Sequence, residues 1–203
     1  MKSYHDSIDS AAYLDIDYVR TLMPVRRNQS DKNDYGRVLI IAGCEGFTGA
    51  PYFAAQAAVL TGSGVVTLAL PRAIYPILAH KLNEPVILPF PDDGSGKFSL
   101  DELDALKKHA SRASAVLIGC GLGRSAALDE IVAEIVRTAT CPLVIDADGI
   151  NALAGHIDVL RDTTAPVILT PHQYEFSRLS GIRPEQIDAA SADTFATETG
   201  CTL

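Results

Sequence analysis

This chain predicts an α/β fold built on a mostly parallel, helix-covered sheet, and three observations carry that expectation. Runs of four to six residues, mostly apolar, recur along the chain and stop at glycine, proline or aspartate, as strands buried on both faces do. Stretches suited to helices lie between them, so successive strands are joined by crossover connections. Glycine-rich turns stand where a strand hands over to a helix, the edge at which open parallel sheets bind ligands.

The elements follow in order. Residues 1–34 are polar and charged and read as a lead-in segment, and residues 35–203 read as one α/β domain without repeats or a linker. Val38–Ala42 is the first buried strand, the alanine-rich Pro51–Thr61 a helix packed closely on the sheet, and Val65–Leu70 the second strand. Tyr75–Lys81 is helical, Pro85–Leu88 a weaker strand and Asp92–Gly96 a surface turn. Ser99 reads as an N-cap, with Glu102 completing a capping box for a helix to His109. Ala115–Gly119, Leu143–Asp146 and Val167–Thr170 are strands. Helices are expected over Ser125–Thr138, near Ile150–Ala154, near Tyr174–Leu179 and over Pro184–Glu198. Cys201-Thr202-Leu203 reads as the start of a further strand, so the chain is expected to end within its fold, the C-terminal part missing.

Composition narrows the function classes. Apolar residues are 47 % and charged residues 21 % of 203, ordinary for a globular domain. A net charge of −8, with no positive patch evident along the chain, argues against nucleic acid as a partner. No run approaches the roughly 20 apolar residues that cross a bilayer, and the amino terminus lacks the apolar stretch of a signal peptide. Cys44, Cys120, Cys141 and Cys201 show no CxxC spacing. They fit neither a zinc site nor a disulfide framework, and reduced thiols in a cytoplasmic protein are expected.

Four strand ends have compositions suited to chemistry. Gly43-Cys44-Glu45-Gly46-Phe47-Thr48-Gly49-Ala50 joins a strand to a helix, where glycines permit close backbone approach and free N–H groups can meet an anion. It is neither GxGxxG nor a P-loop, and a plain glycine-rich turn is the alternative. Gly119-Cys120-Gly121-Leu122-Gly123 has the same placement. Asp146-Ala147-Asp148 with Asn151 puts carboxylates at a strand end, as ligand contacts or as N-caps. Thr170-Pro171-His172-Gln173-Tyr174-Glu175 places a histidine and a glutamate three positions apart at a helix start, on one side of its first turn.

Order and spacing together carry a resemblance. Lys32-Asn33-Asp34-Tyr35-Gly36-Arg37, followed by VLIIAG, GFTGA and GSGVVTLALP, resembles the opening of the ADP-dependent (S)-NAD(P)H-hydrate dehydratases. GCGLG is similar to that family's GPGLG, CPLVIDADGINAL to its PLVLDADALNLL, and LTPHQYEFSRL to its TPHPGEFARL. The likeness is colinear from about Lys32 to the end. It implies a ribokinase-like three-layer sandwich.

The resemblance also implies a reaction: hydrated NADH or NADPH is phosphorylated on its ring hydroxyl by ADP, or by ATP, and phosphate is eliminated. NAD(P)H is restored, AMP and phosphate are released when ADP is used, and Mg²⁺ neutralises the phosphates. By position, Ala50, Gly121 and His172 would contact the hydrated dinucleotide, and Asp146 and Asn151 would shape the same pocket. Gly43, Gly46, Gly49, Gly119 and Gly123 would form the glycine loops, and Glu175 would organise Mg²⁺ and phosphate. Cys120 stands where the family has proline, and Gln173-Tyr174 where it has Pro-Gly. The family's GTGD loop, with its catalytic aspartate and most ADP contacts, has no counterpart in these residues and would lie beyond Leu203. A homotetramer is the assembly the resemblance suggests. A vitamin-precursor or sugar kinase of the same superfamily, or a non-catalytic nucleotide-binding remnant, are the alternatives.

Overall fold

The structure, a computed structural model, describes residues 15–203, so the polar stretch at positions 1–14 lies outside the described residues. The chain divides into two compact units, 1–30 and 31–203. The first unit contains α1, Ile16–Leu22, capped by Asp15, whose carboxylate accepts from the Tyr18 N–H at 2.7 Å.

Residues 31–203 form a six-stranded sheet in the order β3-β2-β1-β4-β5-β6, with every pairing parallel. The strands are β1 Arg37–Ile41, β2 Val65–Pro71, β3 Val86–Phe90, β4 Ala115–Ile118, β5 Leu143–Ile145 and β6 Val167–Leu169. β1 lies between β2 and β4. The chain therefore builds outward on one side as far as β3 and then crosses to the other. That reversal makes the β1/β4 boundary the topological switch point, where such sheets open a crevice.

Strand side chains alternate between two cores. From β1, Leu39 and Ile41 enter one core while Ile40, followed by Ala42 just past the strand, enters the other. The first core is covered by α4 (Leu103–Ala110), α5 (Ala126–Arg137), α6 (Asp148–Leu153), α7 (Asp158–Asp162), α8 (Gln173–Ser180) and α9 (Ala189–Thr199). The second is covered by α2 (Gly49–Leu60) and α3 (Tyr75–Lys81), through Ala55 and Leu78. This is the three-layer arrangement. Each fully buried Ile or Leu contributes roughly 1.5–3 kcal/mol of transfer free energy, and α5 alone buries Leu128, Ile131, Val132, Ile135 and Val136. Toward β6 the second face opens to solvent: Val144 is half-buried and Ile168 is 41 % exposed.

Element boundaries fall within one or two residues of expectation, with instructive exceptions. The Ser99–Glu102 capping box does not form. Ser99 Oγ instead accepts from the Asp101 N–H at 3.3 Å, opening a single 3-10 turn over Leu100–Glu102, and α4 starts after it. The helix expected over 184–198 is two pieces, a 3-10 turn Pro184–Gln186 and α9. Asp188 is extended between them, and its carboxylate accepts from the Ser191 N–H at 2.8 Å. α7 was missed because its five residues are too short to show periodicity. Thr202 bridges Ile168 in parallel, donating to the Val167 carbonyl and accepting from the Leu169 N–H, each at 2.8 Å. The expected strand start at Cys201–Leu203 is thus present as one bridge.

Candidate functional site

The carboxyl ends of β1, β4, β5 and β6 share one edge of the sheet, and backbone hydrogen bonds join their exits. Gly43 N donates to the Cys120 carbonyl at 3.0 Å, Gly119 N to the Ile41 carbonyl at 3.2 Å, and Asp146 N to the Ile118 carbonyl at 3.0 Å. Gly119, at φ +128°, lets β4 leave beneath β5: a β-carbon there would stand 1.8 Å from the Asp146 carbonyl oxygen. Gly121, at φ +67°, presents its backbone to the start of α2, where a β-carbon would meet those of Ala50 and Phe47 at 3.1 Å. Gly43 packs on Pro51 and Ile74, and Gly123 beside Cys44 and Lys97, while Gly46 and Gly49 face open space.

Beside these turns is an open depression of about 420 Å³, with Ala50, Phe53, Leu117, Cys120, Asp146 and Thr170 among its lining residues. Asp146 is the hub of its polar side. Its Oδ1 accepts from the Thr170 hydroxyl at 2.7 Å and its Oδ2 from the Cys120 thiol at 3.3 Å. One carboxylate therefore ties the exits of β4, β5 and β6. Burial, reinforced by the Asp146 charge and this hydrogen bond, pushes the Cys120 thiol up to about 12, so at neutral pH it is an uncharged donor.

Asp146 and Asp148 do not serve as side-chain N-caps of α6. The residue at that position is Ala147, held at φ 50° and ψ −115°. A non-glycine residue at positive φ of this kind costs about 1–3 kcal/mol, and such strain clusters at functional sites. Asp148 turns back to the glycine loop, its Oδ2 accepting from Gly123 N at 2.9 Å. Asn151 joins α6 to α8, its Oδ1 accepting from Arg178 Nε at 2.8 Å.

His172 and Glu175 form a capping box at the start of α8. His172 Nδ1 accepts from the N–H groups of Tyr174 at 3.1 Å and Glu175 at 3.3 Å, which puts the ring proton on Nε2. Nε2 lies 3.3 Å from Glu175 Oε1, and Glu175 Oε2 accepts from His172 N at 3.0 Å. The His172 side chain is 60 % exposed, that of Glu175 only 8 %. The sequence-predicted residues therefore separate. Ala50, Gly121 and Asp146 meet at the depression with Gly43 and Gly119 behind them, while His172 stands outside it on α8. Asn151 and Glu175 are occupied in local bonding. Phe53 was not singled out from the sequence, and Cys120, Asp148 and Thr170 were read only as members of their strand-end segments, because the bonds of Cys120 and Thr170 to Asp146 and of Asp148 to Gly123 depend on tertiary placement. Among the described residues, no three His, Cys, Asp or Glu side chains converge where they could hold a metal ion.

A parallel sheet with helices on both faces, and with its glycine turns and carboxylate hub at the switch-point edge, places the chain in the doubly wound α/β class to which ribokinase-like proteins belong. A solved ribokinase-like superfamily protein from Enterococcus faecalis V583 superimposes with a TM-score of 0.74 at 25 % identity, covering 88 % of this chain and 60 % of that one. The chain belongs to the NAD(P)H-hydrate dehydratase family, whose model matches residues 38–203. It is 44 % identical over 183 residues to a bifunctional NAD(P)H-hydrate repair enzyme of Salinibacter ruber, covering 88 % of this chain and 33 % of that protein. It also resembles the ADP/ATP-dependent NAD(P)H-hydrate dehydratase of Bacillus subtilis, co-crystallised with ATP and Mg²⁺. That TM-score is 0.69 at 26 % identity, covering 91 % of this chain and 62 % of that one. The chain thus spans about a third of the Salinibacter enzyme and under two thirds of these solved chains. No helix among the described residues is long and apolar enough to cross a membrane.

Proposed function

We propose that the chain binds a hydrated nicotinamide dinucleotide at the carboxyl edge of its sheet and serves the ADP- or ATP-driven dehydration of that ligand. The observation that supports this most is the family match from residue 38 to 203, which takes in every residue of the depression. In the reaction, the ring hydroxyl oxygen gives up its proton and attacks the terminal phosphorus of the nucleotide, and the bond from that phosphorus to the bridging oxygen breaks, releasing AMP from ADP or ADP from ATP. The ring carbon–oxygen bond then breaks with loss of a ring proton, restoring the double bond and releasing phosphate. Positioning and electrostatics supply most of the catalysis in such transfers.

In this reading Ala50 and the Gly121 backbone let the dinucleotide approach closely, Asp146 orients hydroxyl groups, and Asn151 braces α6 behind it. His172, exposed at the start of α8 outside the depression, would contact the part of the dinucleotide that extends beyond it. We assign Glu175 to holding His172, since both its oxygens are engaged there. That replaces the Mg²⁺-organising role the resemblance implies. Among the described residues no three His, Cys, Asp or Glu side chains are grouped as a cation cage, and Mg²⁺ is commonly held largely by substrate phosphates and water. A homotetramer belongs to the same reading, supported by the exposed Phe53 and Leu60 on α2; light scattering measures it.

The test is a titration of the 203-residue chain with hydrated NADH, followed by a turnover assay with ADP or ATP and Mg²⁺. Saturable binding, weakened by Asp146→Ala, is expected. Turnover should fall about 10²–10⁴-fold below that of longer relatives, because no Gly-Thr-Gly-Asp segment occurs in these residues and a general base contributes about that factor. Absence of binding overturns the reading. Family-like turnover overturns only the assignment of the base to a segment outside these residues, and nucleotide consumption driven by simple alcohols would favour a kinase.

A further inference from the structure

At the opposite edge of the sheet, where the strands begin, lies a second cavity of about 300 Å³. That is about ten water volumes at roughly 30 Å³ each. Its lining includes Lys32, Asn33, Arg37, His109 and Arg112 and no carboxylate. In a chain of net charge −8, three permanently cationic side chains and a histidine around one hollow are an unusual concentration. Among the described residues no carboxylate forms an ion pair with Lys32, Arg37 or Arg112. Arg37 Nη2 donates instead to the neutral Asn33 Oδ1 at 2.9 Å, which fixes the guanidinium without neutralising it.

The frame of this cavity is rigid. Gly64 approaches the Lys32 segment so closely that a β-carbon would stand 1.6 Å from the Lys32 carbonyl oxygen. Gly64 N and Val65 N donate to the carbonyls of Tyr35 and Gly36 at 3.0 and 3.1 Å. Ser114 accepts from Arg37 N through its hydroxyl at 3.0 Å and donates its own N–H to the Arg37 carbonyl at 2.7 Å. The turn after α4 also satisfies its own end: the N–H groups of Ser111, Arg112 and Ala113 bond the carbonyls of Lys107, His109 and Ala110. Those helix-end oxygens are therefore engaged rather than left to repel an anion.

We propose that this cavity is an anion site for a small phosphate-class ligand of about diphosphate size, distinct from the depression at the carboxyl edge. Two planar guanidinium groups with a lysine beside them match the several oxygens of such a group, and arginine recognises them with paired hydrogen bonds. Lys32, Arg37, His109 and Arg112 are dispersed along the chain, so the patch exists only after folding.

Calorimetric titration of the whole chain with inorganic diphosphate in Mg²⁺-free buffer tests this. The expected result is one saturable site whose affinity falls with ionic strength. Arg112→Gln and Lys32→Gln should each weaken it about tenfold, consistent with a charge-assisted hydrogen bond, without lowering the thermal midpoint. Both side chains are exposed, and each variant is a separate test should the other fold poorly. Asp146→Ala, which alters only the carboxyl-edge depression, should leave the diphosphate affinity unchanged. No binding, unchanged affinity in both cationic variants, or loss of diphosphate binding in Asp146→Ala overturns the proposal. Tighter binding of malonate than of diphosphate overturns the phosphate assignment.

Discussion

Asp146 and Gly119 approach so closely that only glycine fits at position 119: a β-carbon there would stand 1.8 Å from the Asp146 carbonyl oxygen and 2.8 Å from Gly149 N. Both obstacles are backbone, so neither can swing aside. Gly119→Ala also forces alanine to φ +128°. Overpacking costs typically 1–3 kcal/mol and disfavoured backbone a similar amount. The variant should lose about 4 kcal/mol of unfolding free energy measured by urea titration, whereas Gly46→Ala, with open space around it, should lose only its positive-φ penalty. Equal losses in the two variants would refute the close-approach argument.

The contrast between these glycines shows how far the sequence could be read. Strand runs such as Val38–Ala42 and Val65–Leu70 announce themselves because burial on both faces leaves no polar alternation, and six parallel strands follow. Glycine turns placed the candidate site at the carboxyl edge without showing which glycines are needed. Neither the Cys120–Asp146 nor the Thr170–Asp146 contact was legible, since each joins different strand exits 24 or 26 positions apart. His172 and Glu175 were legible as a pair, but the same spacing serves a capping box and a ligand contact equally. The cationic hollow around Arg37 and Arg112 was invisible for the reason Asp146's partners were: adjacency is created by the sheet.

Cys120 should leave a mark on alkaline stability. Its thiol is pushed from 9.0 to about 12 in the folded chain, first by burial and then by Asp146. The unfolded thiol loses its proton near 9 while the folded one keeps it. The associated stability is therefore complete below about pH 9 and declines as pH rises toward 12. Cys44, Cys141 and Cys201 are raised by burial as well, so a residual slope is expected without Cys120. Urea midpoints at pH 8 and pH 10 should converge less in the wild type than in Cys120→Ala. Parallel declines in the two proteins would mean that Cys120 titrates normally.

Thr170 is the residue through which β6 reaches the hub, donating its hydroxyl hydrogen to Asp146 Oδ1 at 2.7 Å. Thr170→Val keeps the β-branched shape that suits the strand end and removes the donor. Thr170 is exposed, so water can replace the lost partner and the stability cost should be at most about 1 kcal/mol. The consequence for binding should be larger in proportion. Asp146 would lose one of the two side-chain donors that fix its carboxylate, and a freely rotating acceptor must be ordered again when ligand arrives. Hydrated NADH should therefore bind about tenfold more weakly to Thr170→Val, while Thr170→Ser, which retains the hydroxyl, should restore most of the affinity. A valine variant that binds like wild type would show that Asp146 is oriented by the Cys120 thiol alone. A serine variant as weak as the valine would show that the methyl group of Thr170, a residue lining the depression, matters more than the hydrogen bond.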